Sequence, residues 1–308
     1  SVFRKHGEEK YGFTEYFIDR FCRIYSAYLP ALFFALIVAF FSMSFPINIP
    51  AERVEFLTWV AKFPKVFTIQ TWIGNLFMLQ DFPAFQILRR LGFEDNPWFI
   101  RTFSGAAPFW TIAIEWWIYM LFGLIVLVRL RQRKPFTLWQ KLLVGCVAIE
   151  PIYHFVGGPD QCLTLLWVIG MAMCLCFLKL PAWLSRMSLT PTSPVWRRNC
   201  MRVFVFSLVC MGVRVYAIKL NTAYIKIAEL QFGVFLALAV FSLLFALSNV
   251  QHVPALLKRV VGFVAGYSYS LYLIHAPILC YLYLKFPGSD NDPHMFWGSV
   301  ALSNVVAV

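Results

Sequence analysis

Apolar residues in this chain gather into runs of about 15 to 25, separated by short polar and mostly basic connections. Nine runs are legible: about Ala27–Pro46, Val66–Gln80, Ala107–Phe122, Leu142–Val156, Cys162–Leu178, Val203–Ile218, Ile227–Leu247, Val260–Leu284, and the stretch from Met295 onward. A helix needs roughly 20 apolar residues to cross the bilayer core, whereas barrel strands are short and alternating. The pattern predicts an all-α, polytopic transmembrane helical bundle, with residues 1–308 as one membrane-embedded domain. Val66–Gln80 is the weak member, only about 15 residues long and interrupted by Gln70, Thr71 and Asn75. It reads either as a crossing or as a re-entrant or interfacial segment.

Charge orders the runs. Arg129, Arg131, Arg133, Lys134 and Lys141 fall in one connection, Lys179, Arg186, Arg197, Arg198 and Arg202 in another, and Lys258 and Arg259 in a third. The connections between them, Gly157–Gln161, Lys219–Lys226 and Lys285–His294, are poor in cations. Positive loops stay inside, so the first set is expected in the cytoplasm. The N-terminal segment is also basic, with Arg4, Lys5, Lys10, Arg20 and Arg23. If it too is cytoplasmic, an even number of crossings separates it from Arg129, yet three apolar runs intervene. The expected resolution is that Val66–Gln80 re-enters on its own side, or that part of Trp98–Phe109 crosses.

Of the 308 residues 60% are hydrophobic and 14% charged, and the mean hydropathy is +0.68. Soluble domains hold about 45–50% apolar residues. The net charge of +12 sits in loops, so topology accounts for it and nucleic acid is not an expected partner. Eight cysteines lie mostly inside apolar runs without a Cys-x-x-Cys pair; they read as buried, reduced thiols, neither a disulfide frame nor a metal site. No internal repeat, phosphate-binding loop or dinucleotide fingerprint is present. The chain starts at Ser1 and stops at Val308 inside an apolar run, which is expected of the interior of a longer protein.

Chemistry enters with Glu115, the one carboxylate of Ala107–Phe122. On a helix Thr111, Glu115 and Tyr119 share a face. An acid inside a span is costly: it either bonds only to its neighbours or lines a working site, and the second is the default reading. A second polar group is Gly266–Pro277, where helical spacing puts Ser268, Tyr272 and His275 on one face with Tyr269 beside them. His275 reads as a packing residue or as a functional one. Glu150 and His154, four apart, read as an interfacial hydrogen-bonded pair or as a base with its orienting partner; zinc would need two more ligands. Glu229 reads as a helix-association residue.

Three stretches make the chain resemble the acyltransferase 3 family, multi-span proteins that move acyl groups, commonly acetyl, onto sugars of cell-surface polysaccharides, lipids or secondary metabolites. Arg20-Phe-Cys-Arg23-Ile-Tyr-Ser26-Ala-Tyr28-Leu is similar to the family's arginine pair leading into a span. Trp110-Thr-Ile-Ala-Ile-Glu115-Trp-Trp-Ile-Tyr119 is similar to its Trp-Ser-Leu-x-x-Glu-x-x-x-Tyr pattern. Ser268-Tyr-Ser-Leu-Tyr-Leu-Ile-His275-Ala-Pro277 is similar to its late Ser-Tyr-x-x-Tyr-Leu-x-His-x-Pro signature. Asn75-Leu-Phe sits where the family often has the same tripeptide.

There are departures from the pattern. Ser26 replaces a frequent proline. The family's first span, which carries the histidine and arginine usually assigned to catalysis, is expected upstream of residue 1. His6-Gly7 resembles that span's His-Gly but lies in polar sequence, so the role is not transferred.

The resemblance implies an O-acyltransferase using acetyl-CoA or another acyl-CoA as co-substrate, with no permanently bound cofactor, and a carbohydrate or lipid-linked glycan as acceptor. Arg20 and Arg23 would hold the CoA phosphates at the cytoplasmic mouth. Glu115 would orient the base or the acceptor hydroxyl, and His275 would position the acceptor or transfer a proton. Trp110, Tyr119, Ser268, Tyr269 and Tyr272 would contact substrate. Trp110, Trp116 and Trp117 serve as a sugar-stacking wall or as packing and interface residues. The implied setting is a bacterial inner membrane. Composition alone fits a transporter or flippase for a lipid-linked sugar or small polar solute equally well, and also a catalytically inactive membrane scaffold.

Overall fold

Tyr16, Phe21 and Tyr28 of the first helix lie against Tyr119, Trp116 and Phe109 of the central one, so the two helices run antiparallel. This pairing frames the N-terminal part of the protein. The computed structural model describes residues 11–44, 67–91, 100–103, 106–130, 135–155, 162–186, 193–219, 225–247, 254–285 and 293–307. Among them are ten α-helices: α1 (Phe13–Met43), α2 (Ile69–Leu76), α3 (Pro83–Arg90), α4 (Phe109–Gly123), α5 (Leu138–Phe155), α6 (Leu163–Arg186), α7 (Pro194–Lys219), α8 (Ile225–Leu247), α9 (Ala255–Lys285) and α10 (Pro293–Ala307). A π-helical stretch, Leu124–Leu130, continues α4.

Among the described residues, five helical segments are long and apolar enough to cross a membrane: Phe13–Ser42, Phe109–Val128, Pro194–Ala217, Leu230–Leu247 and Ala255–Leu282. Leu163–Lys179 and Trp297–Ala307 are shorter apolar helices. The protein is an integral, multi-pass membrane protein. Exposed apolar faces agree with that. Phe33, Ile37 and Phe40 of α1, Val205, Phe206 and Val209 of α7, and Val260, Val261 and Phe263 of α9 are all exposed. Such continuous apolar surface suits lipid, not water.

The described helices divide into two compact units, residues 1–150 with 258–308, and residues 151–257, the boundaries falling within α5 and the first turn of α9. In the second unit α8 packs against α7 and α6. Phe177, Phe241, Phe245 and Trp196 form its aromatic cluster, with Phe241 and Phe245 centroids 4.8 Å apart.

One element of the first unit differs from the sequence expectation, and a second decides between two alternatives. The first helix starts at Phe13, not near Ala27, and its 31 residues extend about 46 Å, longer than the ~30 Å hydrocarbon core. Glu15 at its third position accepts from the Gly12 amide at 2.9 Å and secures that early start. Arg20 and Arg23 therefore stand within the helix, two turns or more from its beginning.

Val66–Gln80 resolves into the eight-residue α2, about 12 Å long, too short to span. Side chains from its neighbours grip its carbonyl end. Tyr25 donates to the Leu76 carbonyl (2.9 Å), Tyr28 to the Asn75 carbonyl (2.9 Å) and Trp117 Nε1 to the Met78 carbonyl (2.8 Å). Asn75, fully buried, donates to the Thr71 and Arg101 carbonyls and accepts from the Phe103 amide. Met78 and Asp81 turn the chain with φ of 57° and 56°. Gln80 closes the turn by donating to the Phe109 carbonyl at 2.8 Å. Among the described residues, two segments from the start of α1 to the end of α4 are long and apolar enough to cross, and they run antiparallel.

Candidate functional site

Every third or fourth residue of α1 from Arg23 to Phe34 faces a cleft of about 930 Å³ in the first unit. Arg23, Ser26, Ala27, Pro30, Ala31 and Phe34 form this wall, as a helical period dictates. Opposite are Glu115 from α4, Ala265, Gly266, Ser268, Tyr269 and Ser270 from α9, and Val306 and Ala307 from α10. Small residues on α1 and α9 keep the cleft open. Pro30 adds polarity further along, because it has no N–H to give the Ser26 carbonyl one turn back.

Glu115 is half-buried, and its Oε1 accepts from the Tyr119 hydroxyl at 2.6 Å. No described residue bonds its Oε2, and the carboxylate lines the cleft. Tyr269 also lines it, with a hydroxyl that is buried and has no hydrogen-bond partner among the described residues. An unmet donor of this kind is costly unless a ligand or water completes it. The cleft thus combines a carboxylate, a guanidinium and a phenol.

A second cavity, about 380 Å³, lies between α9 and α10. Ser268, Tyr272 and His275 line it together, the shared face expected from their spacing, along with Ser299, Ser303 and Asn304. Ser268 borders both cavities. His275 is not in the Glu115 cleft. Its Nδ1 lies 3.2 Å from the Leu271 carbonyl, which can only accept, so Nδ1 carries the hydrogen when the ring is neutral and Nε2 keeps its lone pair. Tyr272 and Thr111 share a 2.6 Å hydrogen bond that ties α9 to α4 one turn before Glu115.

The tryptophans divide. Trp116 is buried edge-on against Phe17, Phe21 and Tyr25, and Trp117 bonds the Met78 carbonyl. Trp110 lines neither cavity. Glu150 and His154 are buried one turn apart on α5, outside both cavities. Among the described residues no cluster of three His, Cys, Asp or Glu side chains could hold a metal. The eight cysteines are free thiols, but against the expectation of burial only Cys280 is buried, the others being exposed or half-buried. His6, Gly7 and the Glu229 side chain lie outside the described residues.

Ser26 and Ser270 are cleft residues that the sequence did not single out. The available signal for Ser26 was its three-residue spacing from Arg23.

None of the curated proteins or solved structures compared matches the chain. A family model described as an acyltransferase domain matches residues 6–308, nearly the whole sequence and both walls of the Glu115 cleft. A chain that closes a polar cleft among membrane helices and matches that model over this length belongs to the acyltransferase 3 family, and is an integral-membrane transferase of acyl groups.

Proposed function

We propose that the protein moves an acyl group, acetyl in the simplest case, from acyl-CoA to a hydroxyl of a carbohydrate or lipid-linked cell-surface glycan, in a bacterial inner membrane. The observation that carries this reading is the convergence of Arg23, Glu115 and the unpartnered Tyr269 hydroxyl on one cleft.

Acyl transfer needs a base for the attacking hydroxyl and donors for the oxyanion that forms on the thioester carbonyl. Glu115 Oε2 accepts the acceptor's proton or holds that hydroxyl in line for a base. The hydroxyl oxygen forms the new ester bond, the carbon–sulfur bond breaks, and the CoA thiolate takes up a proton on leaving. The Tyr269 hydroxyl donates to the carbonyl oxygen as charge develops there, and Arg23 offsets the negative charge of donor and oxyanion. His275, with a free Nε2 in the adjoining cavity, faces the acceptor side. The Ser268 hydroxyl stands between the two cavities.

The test uses membranes from cells producing the full-length protein, given acetyl-CoA labelled in its acetyl group. Label should enter carbohydrate or lipid in the wild type, and fall sharply in folded Glu115→Gln. No transfer together with no acyl-CoA binding would overturn the reading in favour of transport.

A further inference from the structure

Arg20 and Arg23 stand about one turn apart on α1, yet only Arg23 lines the cleft. The Arg20 guanidinium is held against two ring faces, 5.4 Å from the Tyr16 centroid and 5.1 Å from that of Tyr119. Its Nε is buried and has no hydrogen-bond partner among the described residues. The acid next to it in sequence, Asp19, accepts from the Tyr11 hydroxyl at 3.0 Å. A guanidinium over aromatic faces is attracted by their quadrupoles, and more so where water is scarce. Tyr16 provides a second hold, because its hydroxyl donates to the Tyr119 main-chain carbonyl at 3.1 Å. Ring and backbone of Tyr119 are thus both fixed, and it is the Tyr119 hydroxyl that donates to Glu115 at 2.6 Å.

We propose that Arg20 is a positioning residue, acting through Tyr119 on Glu115, and that it does not itself grip the acyl donor. This rests on the acyltransferase reading of the Glu115 cleft. The two arginines then have separate work. Arg23 faces the ligand, while Arg20 sets the phenol that occupies Glu115 Oε1 and leaves Oε2 towards the cleft. The stacked cation also strengthens the phenol as a donor to the carboxylate. A planar guanidinium suits this stacking better than an ammonium does.

The experiment compares wild type, Arg20→Met, Tyr119→Phe and the double variant, purified as the full chain, with labelled acetyl-CoA and the producing cell's own membrane glycans as acceptor. Arg20→Met should lower kcat about tenfold and leave KM for acetyl-CoA within about twofold. In the Tyr119→Phe background it should cost less than about a further twofold. Arg20→Lys, which keeps a cation over the rings, should recover part of the lost kcat.

A KM for acetyl-CoA that rises about tenfold at unchanged kcat would show Arg20 on the donor and overturn the proposal. Losses that multiply in the double variant would do the same, as would a folded Arg20→Lys that recovers nothing. If the wild type transfers no label, the acyltransferase reading fails. Melting temperatures of the same four proteins then decide: sub-additive losses keep the Arg20–Tyr119 coupling, and additive losses overturn it.

Discussion

Tyr119 donates its hydroxyl to Glu115 Oε1 at 2.6 Å, across one turn of α4. The bond makes a carboxylate tolerable inside an apolar helix while committing only one of its two oxygens. The same spacing that satisfies the acid leaves its second oxygen without a partner among the described residues. Replacing Glu115 with Gln preserves size and the Tyr119 contact but removes the anion. Transfer of labelled acetyl from acetyl-CoA should fall about a hundredfold or more, while membrane insertion and melting temperature stay close to wild type.

Tyr269 should act through its hydroxyl alone. Tyr269→Phe keeps the ring against the cleft wall and removes a buried donor that no described residue satisfies. Because nothing is left unpaired, the variant should be at least as stable as wild type. Its kcat should drop about tenfold to a hundredfold if the hydroxyl serves the oxyanion. An unchanged kcat with a raised acceptor KM would place it on the acceptor instead.

Arg23 and Arg20 should separate kinetically. Arg23→Lys keeps the charge but loses the fork, so KM for acetyl-CoA should rise about tenfold with a smaller change in kcat. Initial rates at varied acetyl-CoA would show this directly.

Gly123 offers a stability test close to the site. A Cβ built there would come within 2.6 Å of the Tyr16 ring. Gly123→Ala must push that ring aside, and with it the hydroxyl that holds the Tyr119 carbonyl. The expected cost is about 1–3 kcal/mol, seen as a lowered melting temperature in detergent, together with reduced kcat.

Asn75→Ala should be more severe than its position in a short helix suggests. Its side chain donates twice and accepts once, and the Phe103 amide that it serves is buried. Each group left unmet costs about 1–3 kcal/mol, so low yield of folded protein is expected by size-exclusion chromatography.

The helical class, most spans and the Ser268–Tyr272–His275 face were legible in the sequence, because long apolar runs and a fixed helical period leave few alternatives. The start of α1 was not. Glu15, Asp19, Arg20 and Arg23 lower the local hydropathy, whereas the helix there depends on the Glu15 cap and on aromatic packing against α4. Leu142–Val156 belongs to α5, which is not among the five strongly apolar spans, since Gln140, Lys141, Glu150 and His154 dilute it. The path of Val66–Gln80 depended on side-chain bonds to main-chain carbonyls. Those partners, Tyr25, Tyr28 and Trp117, are far away in sequence. The separation of Arg20 from Arg23 was likewise hidden, because helical spacing alone puts the two on neighbouring faces and only Tyr16 and Tyr119 decide which one meets the cleft.

The grip on α2 carries a consequence for how the chain is assembled. Two of its carbonyl partners, Tyr25 and Tyr28, are synthesised before it, but Trp117 and the Phe109 carbonyl that receives Gln80 emerge after it. A segment this short cannot enter the bilayer by itself with its backbone unmet. Its full set of bonds therefore closes only once α4 has been made, and a chain halted before residue 117 should leave residues 67–82 open to protease.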